Sequence, residues 1–113
     1  MNPFDYSLCD QTVTIYRKGI RQVISNACLQ TKVSTPQKSY GKSLEKTFRL
    51  IIPGDLPLRP GDRIYRGTGP DQIQWQTFLP AQIPQLYEIS FVKPCFWEGE
   101  ITHWEAGNGK ERV

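Results

Sequence analysis

The residues with the most chemistry to offer lie near the end of the chain: Cys95, the single histidine His103, and the carboxylates Glu98, Glu100 and Glu105. Glu98-Gly99 reads as a turn, so Cys95 and His103 can face each other across a final hairpin, which is the minimum for Cys-His nucleophilic catalysis. Such catalysis also needs a group that activates the thiol and one that orients the imidazole, and neither residue has a recognisable activating neighbour. Cys9, Cys28 and Cys95 are odd in number and widely spaced, so they spell out neither a disulfide framework nor a C-x-x-C zinc site. Reduced thiols and a structural or surface histidine are expected. The three glutamates read as an acidic surface facing a basic partner rather than as paired catalytic carboxylates. The chain is therefore expected not to be an enzyme and to carry no catalytic, cofactor-binding or metal-binding residues.

The stretch PGDLPLRPGDRIYRGTGP, residues 53–70, invites a second chemical reading, because Gly67-Thr68-Gly69 could pass for a phosphate loop. Pro70 follows, no further glycine stands at the dinucleotide spacing, and no Lys-Ser/Thr pair comes after it. Neither phosphate fingerprint is complete. The duplicated Pro-Gly-Asp instead suits turns between strands, with Pro fixing φ, Gly allowing positive φ and Asp accepting from backbone amides. Arg59, Arg63 and Arg66 around the second turn form a candidate basic surface.

The elements that must position these groups are short strands. Residues 11–16 alternate, with Val13 and Ile15 on one face; Lys18-Gly19 turns the chain, and residues 20–24 offer a short return strand. A separate strand over 27–33 places Ala27, Leu29, Thr31 and Val33 on one side. Residues 34–46, STPQKSYGKSLEK, have almost nothing to bury and read as a long basic loop or protruding hairpin. Its Lys38, Tyr40, Lys42 and Lys46 are the candidate partner contacts. Residues 47–52 and 63–66 supply two further strands, and Trp75, Phe78 and Leu79 suggest one helical turn closing an end of the core. Leu86 to Val92 has the clearest alternation in the chain, with Tyr87, Ile89 and Phe91 on one face. Glu100 to Trp104 returns as the last strand.

Six or so short strands, Gly/Pro-rich turns and no long helix predict a mainly β fold: a small antiparallel β-barrel or sandwich with one short helical turn and a long basic loop. The 113 residues suit a single domain over 12–105, with an N-terminal extension at 1–11 and a flexible C-terminal tail at 106–113. No apolar run approaches the roughly 20 residues needed to span a bilayer, and the first residues lack the pattern of a signal peptide. A soluble, non-secreted protein is expected. The net charge of +3 is too small to announce a nucleic-acid binder, but its distribution is uneven. Basic residues crowd the middle of the chain and glutamates the last strands, so copies could stack head to tail into a ring or a filament. Trp75, Trp97, Trp104, Tyr65, Tyr87, Phe91 and Phe96 are many aromatics for such a domain, and any left exposed would suit protein association.

The chain, through the segments FRLIIPGD, LRPGDRIYRGTGP, WQTFLP and ISFVKPCFWEGEITHWEAG within a similarity that runs over about residues 12–107, resembles small minor capsid or head–tail connector proteins of tailed phages and prophages of Gram-positive bacteria. The resemblance implies a virion neck component: a head-closure-type β-barrel assembling as a ring between portal and tail, present in the host cytoplasm during assembly. It also implies that residues 37–46 form the arm toward adjacent subunits, the portal or packaged DNA, and that Asp62-Arg63 belongs to a structural turn. No membrane partner is implied. A rival from another class is a nucleic-acid-binding barrel whose basic loop tracks phosphates while Tyr65 or Trp97 stacks on bases.

Overall fold

In the computed structural model, described over residues 5–34 and 45–108, every regular element is a strand. The strands are β1 (Gln11–Arg17), β2 (Ile20–Ser34), β3 (Glu45–Pro53), β4 (Arg63–Arg66), β5 (Leu86–Glu88), β6 (Phe91–Trp97) and β7 (Glu100–Gly107). They form one antiparallel sheet in the order β5-β4-β1-β2-β3-β7-β6, curled into a barrel-like half-cylinder. Alternation fixes its inner face: Val13 and Ile15, Ala27 and Leu29, Phe48, Leu50 and Ile52, Ile64, Tyr87 and Ala106 all join one buried cluster.

The two strands expected over 20–24 and 27–33 are one. β2 runs unbroken through both, pairing with β1 up to Ala27 and with β3 from Cys28 onward. Its register against β1 slips between Gln11 and Val13, so β2 carries an extra residue there, and the bulge lets the strand bend from one partner to the next. Where β1 ends, the Gln11 side chain accepts from the Leu29 amide at 2.7 Å and replaces the missing ladder partner.

The strand expected over 86–92 is, conversely, broken in two. β5 and β6 are the opposite edges of the sheet, yet only Ile89 and Ser90 separate them in the chain. Those residues bridge the edges. The Ile89 amide donates to the Asp62 carbonyl and its carbonyl accepts from Gly61, both at 2.8 Å, while the Ser90 amide donates to the Gly107 carbonyl at 2.8 Å. Ile89 also points into the core, where it is 1% exposed.

A second apolar cluster lies on the outer face of β1, β4 and β5, where Tyr16, Leu86 and Phe78 pack with Tyr65, Ile73, Trp75 and Ile83. The segment between β4 and β5 makes isolated helical turns, with Phe78 N–H to the Gln74 carbonyl at 2.9 Å and Ile83 N–H to that of Leu79 at 3.1 Å. It covers this outer face rather than closing an end of the main core, and Phe78 meets Tyr16 edge-on at 4.7 Å. The glycine-rich stretch is docked here as well. Thr14 donates to the Gly67 carbonyl and accepts from the Gly69 amide, and Tyr16 donates to the Pro70 carbonyl. The Gly69 amide a phosphate would need is thus already engaged, and Tyr16 leaves no room for a side chain at that glycine.

Both Pro-Gly-Asp sequences are turns, and each aspartate has a distant partner. Arg59-Pro60-Gly61-Asp62 closes with Asp62 N–H to the Arg59 carbonyl at 3.1 Å, and Gly61 has φ 95°, the type II pattern. Buried Asp62 then receives Arg17 through both carboxylate oxygens, at 2.9 and 2.7 Å. Asp55 accepts the Trp104 indole N–H at 3.0 Å. Residues 106–108, expected in the tail, are part of the fold: Ala106 and Gly107 are buried in β7, and the Asn108 side chain accepts from the Phe48 amide at 3.0 Å, while 109–113 lie outside the described residues.

Replacing Ile89 by Ala should destabilise the fold by about 2–5 kcal/mol in urea unfolding, because the lost side chain leaves a cavity at the junction of the two edges. Ser90→Ala keeps the bridging amide and should shift stability by no more than about 0.5 kcal/mol.

Candidate functional site

The two-residue turn Glu98-Gly99, with φ 52° and 80°, sets Trp97 opposite Glu100 and Phe96 opposite Ile101, and beyond a bulge Cys95 pairs with His103. A register shift between Cys95 and Phe96 makes Thr102 the extra residue on β7, and its hydroxyl donates to the Cys95 carbonyl at 3.1 Å. Period-two geometry puts Glu105 on the same outer face as His103. The glutamate is where the groups converge. Cys95 Sγ lies 3.0 Å and His103 Nε2 3.2 Å from Glu105 Oε2, while Arg49 from β3 donates to Oε1 at 2.8 Å.

Tyr6, from the segment before β1, covers this cluster. Its hydroxyl lies 2.6 Å from His103 Nδ1 and its ring meets the imidazole edge-on at 5.4 Å. In a neutral ring with the proton on Nε2, Nε2–H donates to Glu105 and Nδ1 accepts from Tyr6. His103 is 3% exposed. Beside it runs an open groove of about 290 Å³, bordered by Tyr6, Leu8, Cys9, Cys28 and Ile51.

Electrostatics set what these groups can do. Burial by itself raises the Glu105 carboxyl, but hydrogen bonds from Cys95, Arg49 and His103 together outweigh it and hold the group at about 2. The Cys95 thiol moves the other way. Burial first, then the hydrogen bond and negative charge of Glu105, push it up to about 11, so it keeps its proton at neutral pH. A Cys-His nucleophile needs a thiolate next to the imidazole; here the thiol is turned to a carboxylate that stabilises its protonated form.

The candidate surfaces fall apart accordingly. Glu98 and Glu100 are exposed at the hairpin tip, whereas Glu105 sits within the cluster and is no part of an acidic surface with them. Arg59 and Arg66 are exposed. Arg63 is 7% exposed: it donates to the Trp75 and Phe78 carbonyls at 2.5 and 2.7 Å, with its guanidinium 3.7 Å above the Trp75 ring. It therefore holds the covering segment onto the sheet and is not basic surface. Lys38, Tyr40 and Lys42 lie outside the described residues, and Lys46 is placed only as the β3 residue opposite Val33. Tyr65 is half-buried and stacked on Phe78 at 6.3 Å, while Trp97 is exposed.

Sequence reasoning allowed Cys95 to face His103 but missed the side chains that hold both. The His-x-Glu spacing on a strand was the available signal for Glu105. Arg49 and Tyr6 come from distant segments, and nothing local marks them. A larger open groove, of about 400 Å³, lies between the β1–β2 turn and residues 71–75, and Arg21 pairs there with Asp71 at 3.3 Å.

Since the folded-state value of Glu105 lies below its ordinary 4.5, its stabilising contribution is complete above about 4.5 and is lost as pH falls toward 2. Urea midpoints of the wild-type protein should drop across that window, and Glu105→Gln should flatten the drop while lowering stability at neutral pH.

Compared with protein-family models, with characterised proteins and with solved structures, this chain has no match.

Proposed function

We propose that this chain is a non-enzymatic assembly subunit acting through protein–protein contacts, and that its place is the neck of a tailed-phage or prophage virion. The sequence resemblance supplies the setting. One geometric observation carries the assembly reading: two two-stranded ribbons leave the same sheet at opposite ends.

The first ribbon follows from the register. β3 pairs with β7 only from Arg49 to Pro53, so Glu45–Phe48 and Thr31–Ser34 pair with each other and with no third strand among the described residues. The segment joining their ends contains Lys38, Tyr40 and Lys42. At the other end, β7 meets β3 only from His103 onward, which leaves Phe96-Trp97 and Glu100-Ile101 as a second ribbon. Its tip is aromatic and acidic. Phe96 is 56% and Trp97 38% exposed, flanked by exposed Glu98 and Glu100.

One ribbon joined by a segment basic in sequence and another with an aromatic, acidic tip favour heterologous, head-to-tail contact between copies, which forms a ring when the rotation closes. Exposed aromatics supply apolar area for such a contact, and opposite charges supply its orientation and salt dependence. Portal-side and tail-side neck proteins would engage the two faces of that ring.

Light-scattering mass after size exclusion tests this. The wild-type protein should gain mass with concentration at low salt and lose it at high salt. Phe96→Ser/Trp97→Ser, and separately Lys38→Glu/Lys42→Glu/Lys46→Glu, should remain monomeric with unchanged circular dichroism. A protein that changes mass only when a DNA oligonucleotide is added would replace this reading with the nucleic-acid-binding barrel.

A further inference from the structure

We propose that Cys95, His103 and Glu105 form a binding site for a zinc-type divalent transition-metal ion, on the outer face of β6 and β7 beneath Tyr6. The inference is independent of the assembly role. The three ligand atoms all lie within 4.8 Å of one another, and the Glu105 oxygen is 3.0 Å from Cys95 Sγ and 3.2 Å from His103 Nε2. Zinc bonds of about 2.3 Å to sulfur and about 2.0 Å to nitrogen or oxygen give tetrahedral edges of about 3.3–3.6 Å. Separations of this size let one ion bind all three after small side-chain adjustments.

The chemistry of the set selects the ion. A thiolate, an imidazole and a carboxylate suit borderline-soft zinc, whereas magnesium and calcium take oxygen ligands. Thiolate and carboxylate together neutralise the two positive charges of the ion. Three protein ligands leave one tetrahedral position for water, and the adjoining groove gives solvent access to the cluster.

The outer contacts also fit. A metal-bound imidazole donates its other N–H to a neighbouring acceptor, and a ligating carboxylate is itself hydrogen-bonded. With a metal on Nε2, the His103 proton sits on Nδ1 and is donated to the Tyr6 phenol oxygen, 2.6 Å away. Arg49 already holds the second Glu105 oxygen at 2.8 Å. All three ligands stand on paired strands, so register rather than a loop sets their spacing. On binding, the Cys95 S–H bond breaks, the sulfur keeps the electron pair and donates it to the metal, and the proton leaves to solvent.

The test uses the full chain, reduced and stripped by a chelator, titrated with Co²⁺ alone. The expected result is a thiolate-to-cobalt charge-transfer band saturating at one ion per chain, abolished by competing Zn²⁺, with about one proton released per ion. Cys95→Ser and Glu105→Gln should weaken binding about tenfold or more, and Tyr6→Phe about tenfold. The Cys9→Ser/Cys28→Ser double variant should keep the band. Circular dichroism of each metal-free variant separates loss of a ligand from loss of the fold. A band that survives Cys95→Ser, one that vanishes in Cys9→Ser/Cys28→Ser with the fold retained, or no band at equimolar cobalt would overturn the proposal.

Discussion

The two edges of the sheet are consecutive in the chain, and with only Ile89 and Ser90 between them they cannot lie far apart. Seven strands in that order must therefore curl until the two edges come together at that junction. The bridging amides hydrogen-bond to Asp62 on one side and Gly107 on the other, so the backbone groups at the junction are satisfied by both flanks. Curling also limits the edge hazard of an open sheet, since each edge strand runs directly into the other. The β2 bulge answers the same demand, letting one long strand serve partners that diverge as the sheet bends.

Once the sheet curls, its inner face holds the aliphatic core and its two outer faces need separate covers. Residues 67–83 cover the face of β1, β4 and β5; residues before β1 cover part of the face of β6 and β7. Both covers are irregular chain, whose backbone groups need partners that sheet ladders do not supply. Thr14, Tyr16 and Arg63 meet that need on one face by bonding backbone groups of the cover, while on the other face His103 holds the cover through the Tyr6 hydroxyl. Buried polar side chains thus hold the covers on the barrel.

This arrangement explains how one face can hold a reactive-looking cluster in a protein read as an assembly subunit. Glu105 binds the Cys95 thiol in its protonated form, which opposes nucleophilic chemistry but leaves the same atoms grouped for a cation. The ribbons that extend past the barrel leave from its two ends, away from that face's center. The proposed assembly contacts and the proposed ion site therefore draw on different residues.

Local patterns carried most of the strands. Alternation marked β1 and β3, the turn before it marked β7, and Pro-Gly-Asp, Lys18-Gly19 and Glu98-Gly99 marked chain reversals that use positive φ at Gly54, Gly61, Gly19 and Gly99. Those signals are legible because period-two burial and turn stereochemistry depend on a few adjacent residues. The sequence by itself determined a mainly β chain, its turns and a final hairpin, whereas the bulge at Thr102 that brings His103 opposite Cys95 belongs to the folded sheet. Tertiary structure alone decided that the strand read over 86–92 divides between two sheet edges, that 20–34 is one bent strand, and that Arg63 and Glu105 are structural partners rather than surface charge. These outcomes depend on which distant strands pair and what packs over them. Tyr6 and Arg49 reach the His103–Glu105 pair from 97 and 56 positions away in sequence, distances over which no local pattern carries information.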